Sequence, residues 1–337
     1  MGKVPLAYPI GTPGIPWGAP DRQTWRDTRK IHRSYDADVV IPLKEFSAQS
    51  DCFELVKYGS LAITDDDVGH GVGRDLPLYA VIPQELSHNK PYVLITGGTH
   101  GYETSGVMGA LSFLASRASQ YLPYVNVVVV PCVCPWGYER IERWVASALD
   151  PNRSFRRTKE DEADWRTEEA TMLMDFLDRL GSKDNHGAIE WLCHVDLHET
   201  TQSDCTEFRP AKAARDGLKD YDDHVPDGFY LVGDVVGNHL EWYNAILKRV
   251  EKITHIAEME EDNTLSGYPA ASRGLILVPT KELGLCAGGA VDAKYLMTTE
   301  VYPDSERTCP KDCVLAQVEA VCAALDLTLD YRINSSS

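Results

Sequence analysis

The sequence predicts an α/β protein: a single-domain, three-layer α/β/α fold on a mixed, largely parallel central sheet. Two observations carry that prediction. Short apolar, β-branched runs recur at "PYVLITGG", "VNVVVVPCVC", "EWLCHVDLHE", "GFYLVG" and "GLILVPTKEL". Helical periodicity marks the stretches "TSGVMGALSFLASRA", "TEEATMLMDFLDRLG", "VGNHLEWYNAILKRVEKI" and "CVLAQVEAVCAALDLTL". Strands that are apolar without alternation are buried on both faces, and amphipathic helices supply the cover.

In chain order, residues 1–35 are rich in Pro and Gly and read as an extended N-terminal arm. Residues 36–330 read as one domain, because no Pro/Ser linker interrupts them, and residues 331–337, ending "SSS", read as a disordered tail. Within the domain, the strand at 92–95 is closed by Gly97 and Gly98, which let the chain turn before a helix begins near Thr104. The valine-rich strand after 125 runs into "WGYERIERW", the strand "CHVDL" runs into His198, and "LILVPT" runs into Glu282. In sheets of this kind ligands collect at the carboxyl ends of the strands. Four strands thus deliver chemically capable groups at one end.

Composition narrows the function classes. The chain has 337 residues, 43% hydrophobic and 25% charged, which suits a large globular core. A net charge of −18 disfavours nucleic acid and anionic membranes, since both reward basic patches. No window reaches the 18 or more apolar residues of a membrane span, and the first residues lack a secretory apolar segment. Nine cysteines without a C-x-x-C pair read as buried thiols in a reducing cytoplasm. The glycines of "GHGVGRD" make no phosphate loop, because strand and helix do not flank them.

A hydrolytic zinc site wants three nitrogen or oxygen ligands and an open fourth position. His100 and Glu103, three apart at a turn entering a helix, can face one point, and His198 is the best third ligand. His194 shares a face with His198 but lies deeper, where a hydrogen-bonded core histidine is expected. A carboxylate must manage the proton, and Glu282 is the candidate base. Arg143 and Arg153 can hold an oxyanion or a substrate carboxylate, Asn152 adds a directed hydrogen bond, and Asp150 can orient a ligand histidine.

These motifs resemble the zinc metallocarboxypeptidases, the carboxypeptidase A-like family, over roughly residues 40–325. "GGTHGYE" is similar to its Gly-x-His-Gly-x-Glu, implying His100 and Glu103 as zinc ligands, and "DLHET" implies His198 as the third. "CPWGYERIERW" implies Arg143 at the oxyanion, and "DPNRSF" implies Asn152 and Arg153 on a substrate carboxylate with Asp150 behind His100. "PTKELG" implies Glu282 as general base, and Tyr268 is the nearest match to the family's mobile tyrosine. The short spacing between Gly137 and Asn152 resembles the compact bacterial-type branch and the succinylglutamate desuccinylase/aspartoacylase group.

The resemblance implies one zinc ion per chain. It also implies a small peptide or amino-acid amide substrate with a free carboxylate, cleaved by metal-activated water. An N-acyl amino acid deacylase is the rival reading, and a binding module without activity on the same fold is the third. Arg273 would favour an acidic substrate group if it points inward, and the insert after His198 would shape the entrance.

Overall fold

A computed structural model describes residues 3–63, 74–157, 166–182, 189–237 and 239–335. Residues 69–73 of the glycine-rich "GHGVGRD" run therefore lie outside the described residues. The strands are β1 (Lys3–Pro5), β2 (Phe53–Ile63), β3 (Arg74–Pro83), β4 (Tyr92–Gly97), β5 (Asn126–Val130) and β6 (Trp191–Glu199). They continue as β7 (Asp220–Asp222), β8 (Tyr230–Asp234), β9 (Thr264–Leu265), β10 (Tyr268–Ser272), β11 (Leu275–Val278) and β12 (Tyr295–Val301). Ten of them form one sheet in the order β2-β3-β5-β4-β6-β12-β8-β11-β10-β9.

The centre of the sheet, β5-β4-β6-β12, is parallel, and the flanks are largely antiparallel. Every residue of β4, β5 and β6 is buried. That is why these strands read as unbroken apolar runs: helices cover both faces, so no face needs polar residues. The helices Thr104–Ser116, Leu240–Val250 and Pro310–Ser335 pack together in one layer, and Glu168–Ser182 packs on β2. Buried Gln317, on the last helix, binds two strands at once. Its Nε2 donates to the His198 carbonyl at 2.8 Å, and its Oε1 accepts from Thr299 Oγ1 at 2.5 Å. Among the described residues, no helix is long and apolar enough to cross a membrane.

Both ends differ from the expectation of loose segments. The arm pairs β1 with β7 and forms a helix over Ala19–Asp27. Trp17 and Trp25 are buried against Trp136 and Trp144, with ring centroids 5.3–6.1 Å apart. Large aromatic side chains bury enough area to order a Gly/Pro-rich segment that local propensity would leave open. At the other end the helix runs on to Ser335, so residues 331–335 are helical rather than a disordered tail. Cys132 and Cys134 are core residues, as the surrounding valines suggest.

Glu169, in the first turn of Glu168–Ser182, is buried, and burial pushes its pKa up from 4.5 to about 7. The folded state thus keeps a proton there that the unfolded chain releases near pH 4.5, so stability falls as the pH rises through that window. Glu169→Gln removes this cost and is expected to stabilise the protein at pH 8 by up to about 3 kcal/mol. The gain should vanish near pH 4.5. Urea midpoints at both pH values check it, and an equal effect at each would refute the linkage.

Candidate metal centre and active site

The site starts from a backbone that only small residues permit. Gly98, just past β4, has φ +58°, a left-handed conformation that L side chains resist. Gly101 lies against Gly137 so closely that a Cβ there would sit 1.9 Å from the Gly137 carbonyl carbon. The turn between these glycines presents His100 and then Glu103, the residue before the helix Thr104–Ser116. Arg33 of the N-terminal arm braces the turn: it donates to Gly101 O at 2.5 Å, Thr104 Oγ1 at 2.7 Å and Tyr138 O at 2.7 Å. Its guanidinium lies over the Tyr138 ring, 3.6 Å from the centroid.

β6 runs beside β4, and its period of two puts His194, Asp196 and His198 on one face. The potential ligand atoms of His100, Glu103 and His198 all lie within 4.8 Å of one another, and all three residues are buried. Glu103 stands between the rings, with Oε1 2.7 Å from His100 Nδ1 and Oε2 2.7 Å from His198 Nδ1. Despite that distance, Oε2 makes no hydrogen bond of sound geometry. A buried carboxylate oxygen and a ring nitrogen that crowd without aligning fit ligands aimed at a shared cation. The outer nitrogens are also fixed. His100 Nε2 donates to Asp150 Oδ1 at 3.0 Å, and His198 Nε2 donates to Asp196 Oδ2 at 2.6 Å. Both rings therefore turn Nδ1 inward, so the residues present fit a zinc ion.

The electrostatics follow from this packing. Burial works to raise Glu103 and Asp196, but the imidazoles beside them outweigh it and hold both at about 2. Burial likewise opposes a charge on His198, yet Asp196 and Glu103 hold its pKa well above the usual histidine range. Asp150 is held well below the carboxylate range, because Arg143 and His100 overcome its burial. His194 is the hydrogen-bonded core histidine that its depth suggests, with Nε2 3.0 Å from Thr96 Oγ1 and burial lowering its pKa to about 4.

A cavity of about 260 Å³ opens beside His100. Arg143, Asn152 and Arg153 line it. Arg143 Nε donates to Asp150 Oδ2 at 3.3 Å, while its Nη1 lies 3.3 Å from Tyr102 Oη and 3.5 Å from Asp204 Oδ1. Asp150 thus links the His100 ring to the arginine. Asn152 Oδ1 accepts from the Cys286 amide at 2.7 Å, which leaves Nδ2 as the donor end of the side chain. Tyr268 lines the cavity from β10 and is 43% exposed. Phe208, Arg209 and Lys212, from the insert after His198, form part of the wall.

Two expected residues are not brought there. Glu282 is exposed on the short helix Thr280–Leu283 and borders other cavities with Lys281 and Asp292. The turn after β11 sends Leu283 and Leu285 to the cavity beside His100, so the helix carries Glu282 outward. Arg273 is held at the surface by Glu251 and Glu258, at 2.5 and 2.8 Å. Four carboxylates line the cavity: Asp150 and Asp204 pair with Arg143, Glu199 accepts from the Ser105 amide, and Glu300 on β12 is paired in register with His198. Its signal in the sequence was a lone acid inside the buried strand "YLMTTEV". Asp196, on the same face of β6 as His194 and His198, holds the His198 ring, and Thr200, Tyr102 and Asp204 line the cavity with no sequence motif to mark them.

Asp196→Asn is expected to weaken zinc binding roughly 10–100-fold, by releasing the His198 ring, without unfolding the sheet. Competition with a chelator measures the affinity. An unchanged affinity would show that the carboxylate does not orient the ligand.

Residues 89–219, less than half of the chain, match the family described as the succinylglutamate desuccinylase/aspartoacylase catalytic domain. No curated protein matches the sequence. Among solved structures, the fold is similar to that of a "putative metallopeptidase" from Shewanella amazonensis SB2B. That likeness has TM-score 0.60 and 17% identity over 89% of this chain and 98% of the other. It is also similar to bovine thrombin-activatable fibrinolysis inhibitor, seen with tick carboxypeptidase inhibitor, at TM-score 0.54 and 14% identity over 91% and 99% of the two chains. A Pseudomonas aeruginosa metallo-carboxypeptidase in complex with (2-guanidinoethylmercapto)succinic acid matches at TM-score 0.50 and 16% identity over 86% and 68%. The chain thus has the α/β fold of these carboxypeptidase-like structures, and its residues 89–219 match the succinylglutamate desuccinylase/aspartoacylase catalytic domain.

Proposed function

We propose that the protein is a zinc-dependent metallocarboxypeptidase, hydrolysing an amide bond next to a free carboxylate, with His100, Glu103 and His198 as ligands and Glu300 as general base. The observation that carries this reading is the register of β12 on β6, which sets Glu300 beside His198 at the cavity wall. Zinc in such a site supplies Lewis acidity toward a carbonyl and a water molecule. Arg153 and the Asn152 Nδ2 dock the substrate carboxylate, a pair suited to a planar anion. Arg143, braced by Asp150 and Asp204, offers fixed positive charge where the oxyanion develops. Glu300 takes a proton from the attacking water and passes it to the departing nitrogen. Tyr268 stands at the mouth, where it can close over a bound substrate.

The second reading, an N-acyl amino acid deacylase, is favoured by the family match over residues 89–219 and by Arg209 and Lys212 in the cavity wall. Incubating zinc-loaded protein with peptides and N-acyl amino acids, and identifying products by mass spectrometry, separates the two. Release of C-terminal residues supports the peptidase, and cleavage of acyl amino acids alone supports the deacylase. Silence across the panel with zinc bound would sink both.

Glu300→Gln is expected to lower turnover about 10²- to 10⁴-fold while zinc content stays at one per chain. Glu282→Gln, in contrast, should leave turnover near normal. Steady-state kinetics with metal analysis decides between them, and the reverse pattern would return the base to Glu282.

Burial, with Glu103 and Asp204 nearby, pushes the Glu300 carboxyl up to about 8. A base works only when ionised, so kcat/KM should fall as the pH drops through its pKa. The positive charge of zinc should place that limb below 8. A pH profile without an acid limb would argue against Glu300 as the base.

A further inference from the structure

Glu300 is not free to choose its orientation. Thr200, buried just past β6, donates its hydroxyl proton to Glu300 Oε2 at 2.9 Å. The same hydroxyl lies 2.9 Å from the Tyr230 hydroxyl. A threonine has one proton to give. With that proton on Glu300, Tyr230 must be the donor to Thr200. The chain of hydrogen bonds therefore runs one way, from Tyr230 through Thr200 to Glu300.

The backbone holds all three members in place. Glu300 is paired with His198 on one side and with Tyr230 on the other, across β6, β12 and β8. The Thr200 amide donates to Val301 O at 2.9 Å, tying its loop to the end of β12. Thr200, Tyr230 and Glu300 line the same cavity. The β-branched Thr200 side chain has a stiff χ1, so its hydroxyl has little room to wander. Burial keeps the Tyr230 phenol protonated, as a donor must be.

Resting on the assignment of Glu300 as general base, we propose that Thr200 and Tyr230 are positioning residues that anchor Oε2 of Glu300. Oε1 is thereby left facing the cavity to receive the proton of water. Neither hydroxyl needs to touch the substrate.

The test uses the zinc-loaded full chain with Thr200→Val, Thr200→Ser and Tyr230→Phe, and with Glu300→Gln as reference. The probes are hippuryl-phenylalanine and N-acetyl-aspartate. Each variant is also crystallised with zinc, to locate the Glu300 carboxylate. Thr200→Val should lower kcat about tenfold with KM within about twofold, and its Glu300 carboxylate should swing away from the wild-type position. Thr200→Ser should keep kcat within about threefold and hold the carboxylate in place, and Tyr230→Phe should fall between the two.

The proposal is overturned if Thr200→Val leaves both kcat and the carboxylate unchanged. It is also overturned if KM alone rises, since that marks a substrate contact. If Glu300→Gln is as active as wild type, the base assignment fails instead, while the crystal structures still judge the anchoring. The same crystal comparison decides the matter if neither probe is cleaved.

Discussion

Everything chemical in this molecule depends on one buried carboxylate shared by two imidazoles. Glu103 reaches His100 with one oxygen and His198 with the other, each at 2.7 Å. An uncompensated charge in that position would cost several kcal/mol, so the surroundings must be arranged around it. Asp150 and Asp196 hold the far sides of the two rings, and Asp150 and Asp204 hold Arg143 at the edge of the same cluster. Acids and bases alternate through the site, and each group stabilises the charge of its neighbour. A cation among the three ligand atoms would complete that pattern.

The sheet explains why the groups converge. β4, β6 and β12 are parallel neighbours, so their carboxyl ends lie on one side of the domain. His100 and Glu103 follow β4, His198 is near the end of β6, and Glu300 is near the end of β12. The Gln317 side chain fastens β6 and β12 at His198 and Thr299, next to Glu300. The N-terminal arm does the same for the first ligand turn through Arg33. Elements far apart in sequence thus share one task, which is to hold a charged cluster rigid beside a cavity.

Much of this is legible in the sequence alone. The fully buried strands β4, β5 and β6 announce themselves as unbroken apolar runs, and the ligand motif stands where the first of them ends. Asp150, Asn152 and Arg153 lie in one short segment, so a local motif could carry all three to the cavity together. Glu282 misled because it follows an apolar strand just as His198 follows one. Whether such a residue turns toward the site depends on the path after the strand, and at Pro279 that path becomes a helical turn. Arg273 misled for a related reason, since two glutamates at the surface compete for its guanidinium. The order of the arm was hidden because its tryptophans find their partners more than a hundred residues away.

The sequence by itself determined the α/β class, the metal ligands His100, Glu103 and His198 as candidates, and the segment that supplies Arg153 and Asn152. Those features are local: hydrophobic period, glycine at a turn and residue spacing act over a few positions. Only the tertiary structure decided that Glu300 faces the cavity, that Asp196 and Asp150 orient the rings, and that Thr200 joins Tyr230 to Glu300. Most of these contacts cross strands, where register and face rather than chain distance set which side chains meet. A one-residue slip of β12 would turn Glu300 away from the site while leaving the sequence unchanged.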